Sequence, residues 1–334
     1  MTAEPSVTEN VGEANRLEGS DSMRSSRVIA VPGWFGAEDR KPDIAVADIS
    51  GNGRSDLLVF HPGHRGGDHH GYYRVGWNFD AAGNISGGWS PIRAVPRWCG
   101  RDDRSAGIAL ADIDGNGRPD LLVCHVDNPG GDNYGYYRIG WNLDTSGQVA
   151  GGWGALHPLP GWFGRESHAT AIAVADINRD GRPELIVFRT DTPGTDNHGH
   201  YRVGWRLDQT GTVAGGWSRL HAVPRWSGDE RQGASIALAD VNGNGRLDLI
   251  VYHVDTPGGE NHGSYRVGFD LDGEGAASGW GPSVPVSGWF GAENQGAGLT
   301  AADISRTGRP DLIVFHAGHP GGENHGYYRV LFDL

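Results

Sequence analysis

The sequence has little that could hold it together covalently and little that would attract a polyanion. Two cysteines in 334 residues are too few for a disulfide scaffold. Both replace residues that are mostly aromatic in related positions: Cys99 aligns with Phe35 and Phe163, Cys124 with Phe60 and Phe188, which reads as core filling. Lysine and arginine total 28 against 41 acids, a formal charge of −13. A general nucleic-acid binder is excluded, since phosphate neutralisation needs clustered cations. No apolar run approaches the length of a membrane span. No segment sustains a helical period, and no nucleophile elbow, P-loop or HExxH motif occurs. Residues 1–27 are polar and contain no apolar signal-peptide core, so they read as a disordered tail. A cytoplasmic product, a mature secreted form and non-classical release all stay open.

What the chain has in abundance is repetition. "GGDHHGYYRVGWNFD" (66–80), "GGDNYGYYRIGWNLD" (130–144), "GTDNHGHYRVGWRLD" (194–208), "GGENHGSYRVGFDLD" (258–272) and "GGENHGYYRVLFDL" (321–334) are five versions of one segment. An Ala-Asp step recurs at Asp48, Asp112, Asp176, Asp240 and Asp303, at spacings of 64, 64, 64 and 63. Each copy holds four strand-like runs, A to D; in copy one these are "DIAVAD" (43–48), "DLLVFH" (56–61), "YYRVGWNFD" (72–80) and "GWSPIRAVP" (88–96). Four strands per repeat of this size imply an all-β fold, a β-propeller of five four-stranded blades. The ends agree: "VIAVPGW" (28–34) is a strand D without its A, B and C, and Leu334 follows a strand C without its D. Residues 28–32 are therefore expected to pair near 328–332, closing residues 28–334 into one ring with no free sheet edge.

All twelve tryptophans fall at three repeat positions. Trp77, Trp141 and Trp205 lie on strand C, and Trp89, Trp153, Trp217 and Trp280 open strand D; these are expected to pack between blades. Trp34, Trp98, Trp162, Trp226 and Trp289 occupy a "VPxW" corner at a loop mouth.

Antiparallel order sends the A–B and C–D loops to one face and the B–C and D–A loops to the other. The A–B loops read "DISGNGRSD", "DIDGNGRPD", "DINRDGRPE", "DVNGNGRLD" and "DISRTGRPD". Oxygen side chains at positions 1, 3, 5 and 9 around a glycine at position 6 suit a hard cation such as Ca²⁺. The same residues also suit a hairpin turn, in which Asp and Asn cap backbone amides. "ADxxGNGRxDL" resembles the FG-GAP/VCBS repeat of integrin-like propellers over residues 28–334. That resemblance implies Ca²⁺-capable loops, with ligands Asp112, Asp114, Asn116 and Asp120 in copy two and Asp176, Asn178, Asp180 and Glu184 in copy three. Copies one and four keep two carboxylates each, Asp48 with Asp56 beside Asn52, and Asp240 with Asp248 beside Asn242 and Asn244. Copy five departs further, with Ser305 and Thr307. Copies two and three are expected to hold the ion best.

On the opposite face every corner Trp is followed four residues later by an acid: Glu38, Asp102, Glu166, Glu230 and Glu293. The B–C loop opens on His61, His125, Arg189, His253 or His316 and ends in an acid–amide–imidazole–glycine run containing His70, Asn133, Asn197 with His198, Asn261 with His262, and Asn324 with His325. An indole, a carboxylate, an amide and an imidazole together suit a sugar: the ring packs on the aromatic while hydroxyls donate to acids and accept from N–H groups. Zinc would also suit His and Asp, but Arg189 and Tyr134 break the pattern. Strand C arginines, Arg74, Arg138, Arg202, Arg266 and Arg329, are expected to bond carbonyls. The repeat type is similar to that of fungal integrin-like propeller lectins, which implies a multivalent lectin with up to five equivalent sites and glycans as partners. A polysaccharide lyase or glycoside hydrolase at the axis, using copy-specific residues such as Arg189, His168 or His69 with His70, is the enzymatic alternative, and a protein-interaction scaffold is the third.

Overall fold

Each repeat folds as an antiparallel sheet because turn residues break it into runs short enough to reverse on one another. The computed structural model describes residues 24–32, 42–62, 71–96, 106–126, 135–159, 170–190, 199–224, 233–254, 263–286, 296–317 and 326–334. Blade one consists of strands A to D at Asp43–Ala47, Asp56–Pro62, Gly71–Gly76 and Arg93–Val95. Blade two has Ala106–Ala111, Asp120–Val126, Gly135–Gly140 and His157–Leu159, and blade three Thr170–Ala175, Glu184–Thr190, Gly199–Gly204 and His221–Val223. Blade four has Ala234–Ala239, Asp248–Val254, Gly263–Phe269 and Val284–Val286, with a short extra strand Gly279–Trp280. Blade five takes Ala297–Ala302, Asp311–Ala317 and Gly326–Leu331 from the C-terminus and Ile29–Val31 from the N-terminus. No helix occurs among the described residues, so none there could cross a membrane.

The strands differ by their distance from the axis. The five A strands touch in the cyclic order one, two, three, four, five, one, which closes the ring. They are correspondingly small, as in "AGIALA" and "ASIALA". A Cβ added at Gly107 would lie 3.2 Å from the Ala171 backbone, so a larger residue there would force the strands apart. Strand B is buried along its length in blades one, three, four and five, which explains its unbroken apolar run. Strand D is short, and its middle residue is exposed. One apolar cluster fills each of the five junctions between blades. The strand tryptophans belong to these clusters: Trp77 and Trp153 join blades one and two, Trp141 and Trp217 blades two and three, Trp205 and Trp280 blades three and four. Trp89 packs at the junction of five and one.

The closing strand pairs slightly differently from the expected register. Ile29, Ala30 and Val31 lie opposite Tyr328, Tyr327 and Gly326. Residues 24–27, assigned above to the tail, also belong to the blade. Ser25 bridges Leu331, Ser26 N–H donates to the Val330 carbonyl at 2.8 Å, and Phe332 N–H donates to Arg24 at 2.8 Å. The reason is repeat chemistry: the Ser26 hydroxyl accepts the Val330 N–H at 3.0 Å just as Ser90 accepts Val75 and Ser218 accepts Val203, both at 2.9 Å. Strand C also ends earlier than expected, at Gly76 in blade one. Just beyond strand C, Asn78, Asn142, Arg206, Asp270 and Asp333 adopt φ of 51° to 59° and turn their N–H groups away from the ladder.

Candidate functional site

Each A–B loop is organised by two carboxylates. The position-nine acids Asp56, Asp120, Glu184, Asp248 and Asp311 are completely buried. One carboxylate oxygen accepts the N–H of the residue that turns after strand C: Asn78 to Asp56 at 2.7 Å, Asn142 to Asp120 at 2.7 Å, Arg206 to Glu184 at 3.3 Å, Asp270 to Asp248 at 2.7 Å and Asp333 to Asp311 at 2.9 Å. The other accepts an N–H at the start of its own loop, such as Ile113 at 2.9 Å or Val241 at 2.8 Å. These acids clamp strand C to the A–B loop. Burial pushes Asp120, Glu184 and Asp248 up from the usual carboxylate range, and the N–H donors partly counter it. The position-one aspartates, exposed or half-buried, cap the turn itself: Asp112 accepts from Asn116 N–H at 2.9 Å and Gly117 N–H at 2.7 Å, and Asp48, Asp176, Asp240 and Asp303 do the same.

Position five reaches the residue 26 places later. Asn52 bonds Asn78 at 2.6 Å, Asn116 bonds Asn142 at 2.5 Å and Asn244 bonds Asp270 at 2.5 Å. In blade three the pair changes together: Asp180 receives Arg206 Nε at 2.8 Å. In blade five it becomes Thr307 and Asp333 at 2.6 Å. These loops differ in their fit to a cation. In blade two, oxygens of Asp112, Asp114 and Asp120 lie within 4.8 Å of one another, a hard-oxygen set suited to Ca²⁺. In blade three the Arg206 guanidinium already meets Asp180. In blade four both Asn242 and Asn244 turn their amide donors to Asp270.

At the opposite face, strand D ends beside the start of strand C, with Val95 opposite Gly71 and Val223 opposite Gly199. The D–A and B–C connections therefore leave from the same end. His61, His125, His253 and His316 sit there, each 4% exposed or less, and Arg189 is 6% exposed. Three of the imidazoles stack on the tyrosine across strand C: His61 on Tyr72 and His316 on Tyr327 at 5.6 Å, His125 on Tyr136 at 6.0 Å. In blade three the equivalent pair is Arg189 with His200. Trp34, Glu38, His70, Trp98, Asp102, Asn133, Trp162, Glu166, Asn197, His198, Trp226, Glu230, Asn261, His262, Trp289, Glu293, Asn324 and His325 lie outside the described residues, as do Cys99, His69, Tyr134 and His168.

The strand C arginines serve the scaffold. Arg138 donates to Pro96 O of the preceding blade at 2.9 Å and to Gly154 O of its own at 3.1 Å. Arg74 and Arg266 bond Pro32 O and Pro224 O in the same way. Their guanidinium groups lie over Trp89, Trp153, Trp217 and Trp280, 5.1 to 5.9 Å from the ring centroids for Arg74, Arg138, Arg202 and Arg266.

No family model and no curated protein matches this chain. Its fold does match solved structures. AofleA from Arthrobotrys oligospora superposes with a TM-score of 0.51 at 12% identity, over 94% of this chain and 87% of AofleA. Aleuria aurantia lectin, a fungal lectin described as a six-bladed β-propeller with a novel fucose recognition mode, reaches 0.50 at 13% identity, over 88% and 79%. An endo-arabinase from Bacteroides thetaiotaomicron gives 0.48 at 12% identity, over 90% and 98%. The likeness to Aleuria aurantia lectin is one of propeller fold.

Within this propeller one titratable group escaped the sequence reading. Asp43 opens strand A of blade one and is 3% exposed. The corresponding residues of the other A strands are Gly107, Ala171, Ser235 and Gly298, as their pairing opposite Cys124, Phe188, Tyr252 and Phe315 shows. That alignment was the available signal: one acid where four copies carry a small residue.

Proposed function

We propose that this protein is a multivalent carbohydrate-binding protein, a lectin with up to five sites on the face formed by the D–A and B–C loops. The observation that carries the reading is the recurrence, at one end of the blades, of a buried imidazole in four copies, together with a tryptophan and an acid that recur in the sequence of all five D–A connections. A pattern that recurs in the sequence of all five copies suits several weak, comparable sites better than one catalytic constellation, whose acid and base must differ from each other. The likeness in fold to a lectin that recognises fucose supports the same class of ligand. An enzyme at the axis is the second reading, but a glycosidase needs two carboxyl groups, and Asp43 is the only acid on the five described A strands.

In each site the corner tryptophan is a platform, the following acid accepts hydroxyl protons, and the Asn or His adds polar contacts; Trp226, Glu230, His253, Asn261 and His262 form the fullest set. Individual affinities are expected to be roughly millimolar to micromolar, with avidity strengthening attachment to displayed glycans. A glycan array followed by calorimetric titration tests this. The expected stoichiometry approaches five sugars per chain, falling by about one in Trp226→Ala with an unchanged melting curve. A single tight site would favour the enzyme, and binding indifferent to both Trp226→Ala and Glu230→Ala would remove the chemical basis of the proposal. We also propose that the A–B loops are of FG-GAP/VCBS type and that the blade-two loop takes Ca²⁺ through Asp112, Asp114 and Asp120.

A further inference from the structure

Five innermost strands meet at the axis, and their edges leave backbone N–H groups facing inward without a neighbouring strand. At one level of the axis these donors converge on a single side chain. Asp43 Oδ2 accepts the N–H of Ile108 in blade two at 3.0 Å. Asp43 Oδ1 accepts its neighbour Ile44 N–H at 2.9 Å and the Ser235 hydroxyl of blade four at 3.2 Å. The N–H of Leu299 in blade five donates to the same carboxyl. The two flanking blades carry glycine at this level, and a Cβ added at Gly298 would stand 2.9 Å from Asp43 Oδ1 and 3.0 Å from Asp43 Cα. Ala171 completes the level on blade three, the one blade from which no bond to Asp43 is recorded among the described residues.

We propose that Asp43 is an axial latch: one carboxyl group crosses the centre of the ring, ties blade one to blades two, four and five, and occupies a pocket that would otherwise take a small carboxylic acid. The latch has a directional response to pH. Burial pushes the folded carboxyl from 3.8 up to about 7, against the donors from Ile108, Ile44, Ser235 and Leu299. The folded chain therefore keeps a proton that the unfolded chain releases between those values. This contribution to stability is complete below about pH 4 and is lost as pH rises through about 7. The A strands packed around Asp43 offer no charged group, and the Ser235 hydroxyl is the polar side chain bonded to it. The described titratable group that feels its charge is the Cys124 thiol, pushed up chiefly by burial and further by Asp43.

The test uses the full chain and two substitutions. Asp43→Gly reproduces what blades two and five already have, and should lower the melting temperature by about 5 °C as several donors lose their acceptor. Sodium formate should restore much of that loss saturably, more at pH 5 than at pH 8, whereas sodium chloride at equal ionic strength should not. Asp43→Asn keeps the size but cannot titrate. Its melting temperature should fall less than the wild type's between pH 5 and pH 8.5. A glycine variant that melts like wild type, formate that acts equally on both, or identical pH profiles for wild type and Asp43→Asn would each overturn the latch. None of these readings involves glycan, so failure here leaves the lectin proposal standing.

Discussion

Single carboxylates do different work according to depth. Asp303 and Asp311 lie in the same blade-five loop, yet the first is exposed and caps a turn while the second is fully buried. Asp311 accepts N–H groups from Ile304 at 2.8 Å, Ser305 at 2.7 Å and Asp333 at 2.9 Å. Removing a buried acceptor leaves its donors without a partner, and this costs more than the bond itself contributes. Asp311→Ala should therefore destabilise the fold by about 3 kcal/mol, and Asp303→Ala by about 1 kcal/mol, in urea denaturation. Equal losses would show that position nine is no clamp. The clamp role was hidden in the sequence because both acids sit in one plausible ligand motif. Only the return of Asp333, 22 residues later in the chain, reveals which of them is a scaffold residue.

At the level of elements, the closing strand and the loops carry the testable claims. The described part of blade five begins at Arg24, and Arg329 donates to the Ser25 hydroxyl at 2.7 Å. Deleting residues 1–23 should leave the melting temperature almost unchanged. Deleting residues 1–34 removes the outer strand, uncovers the Val31 cluster and exposes a sheet edge, so the ring should open and aggregate. Similar melting of the two truncations would remove the closure argument. For the A–B loops, a cation that binds only the folded chain raises its stability by mass action. Chelation should lower the melting temperature of the wild type, and Asp114→Asn should reduce that dependence most. Asp180→Asn should change it less, because Arg206 already meets Asp180. A melt unaffected by chelator, with no calcium by elemental analysis, would leave these loops as hairpin turns alone. The strands themselves were legible, since strand B is buried on both faces and reads as an unbroken apolar run. The end of strand C was not, because its break at Asn78 depends on a carboxylate 22 residues earlier.

For the whole molecule, repetition determined most of the architecture. Five copies of one four-strand pattern, with a strand D displaced from one end to the other, allow few arrangements other than a closed ring. Those copies also carry the recurrent tryptophans and acids on which the lectin reading rests. Local chemistry suffices there: alternation, turn residues and spacing are written in consecutive residues. What lay beyond the sequence was decided where distant copies meet. Gly107, Gly298 and Ser235 look unremarkable in their own strands, and Asp43 looks like an ordinary polar strand end. Closing the ring sets the five A strands side by side around the axis, and only then does one carboxyl group reach three other blades. The sequence by itself determined the blades and their number. The tertiary structure alone decided which acids bear on stability, because burial and converging donors at the axis come from residues as far apart as Asp43 and Ser235.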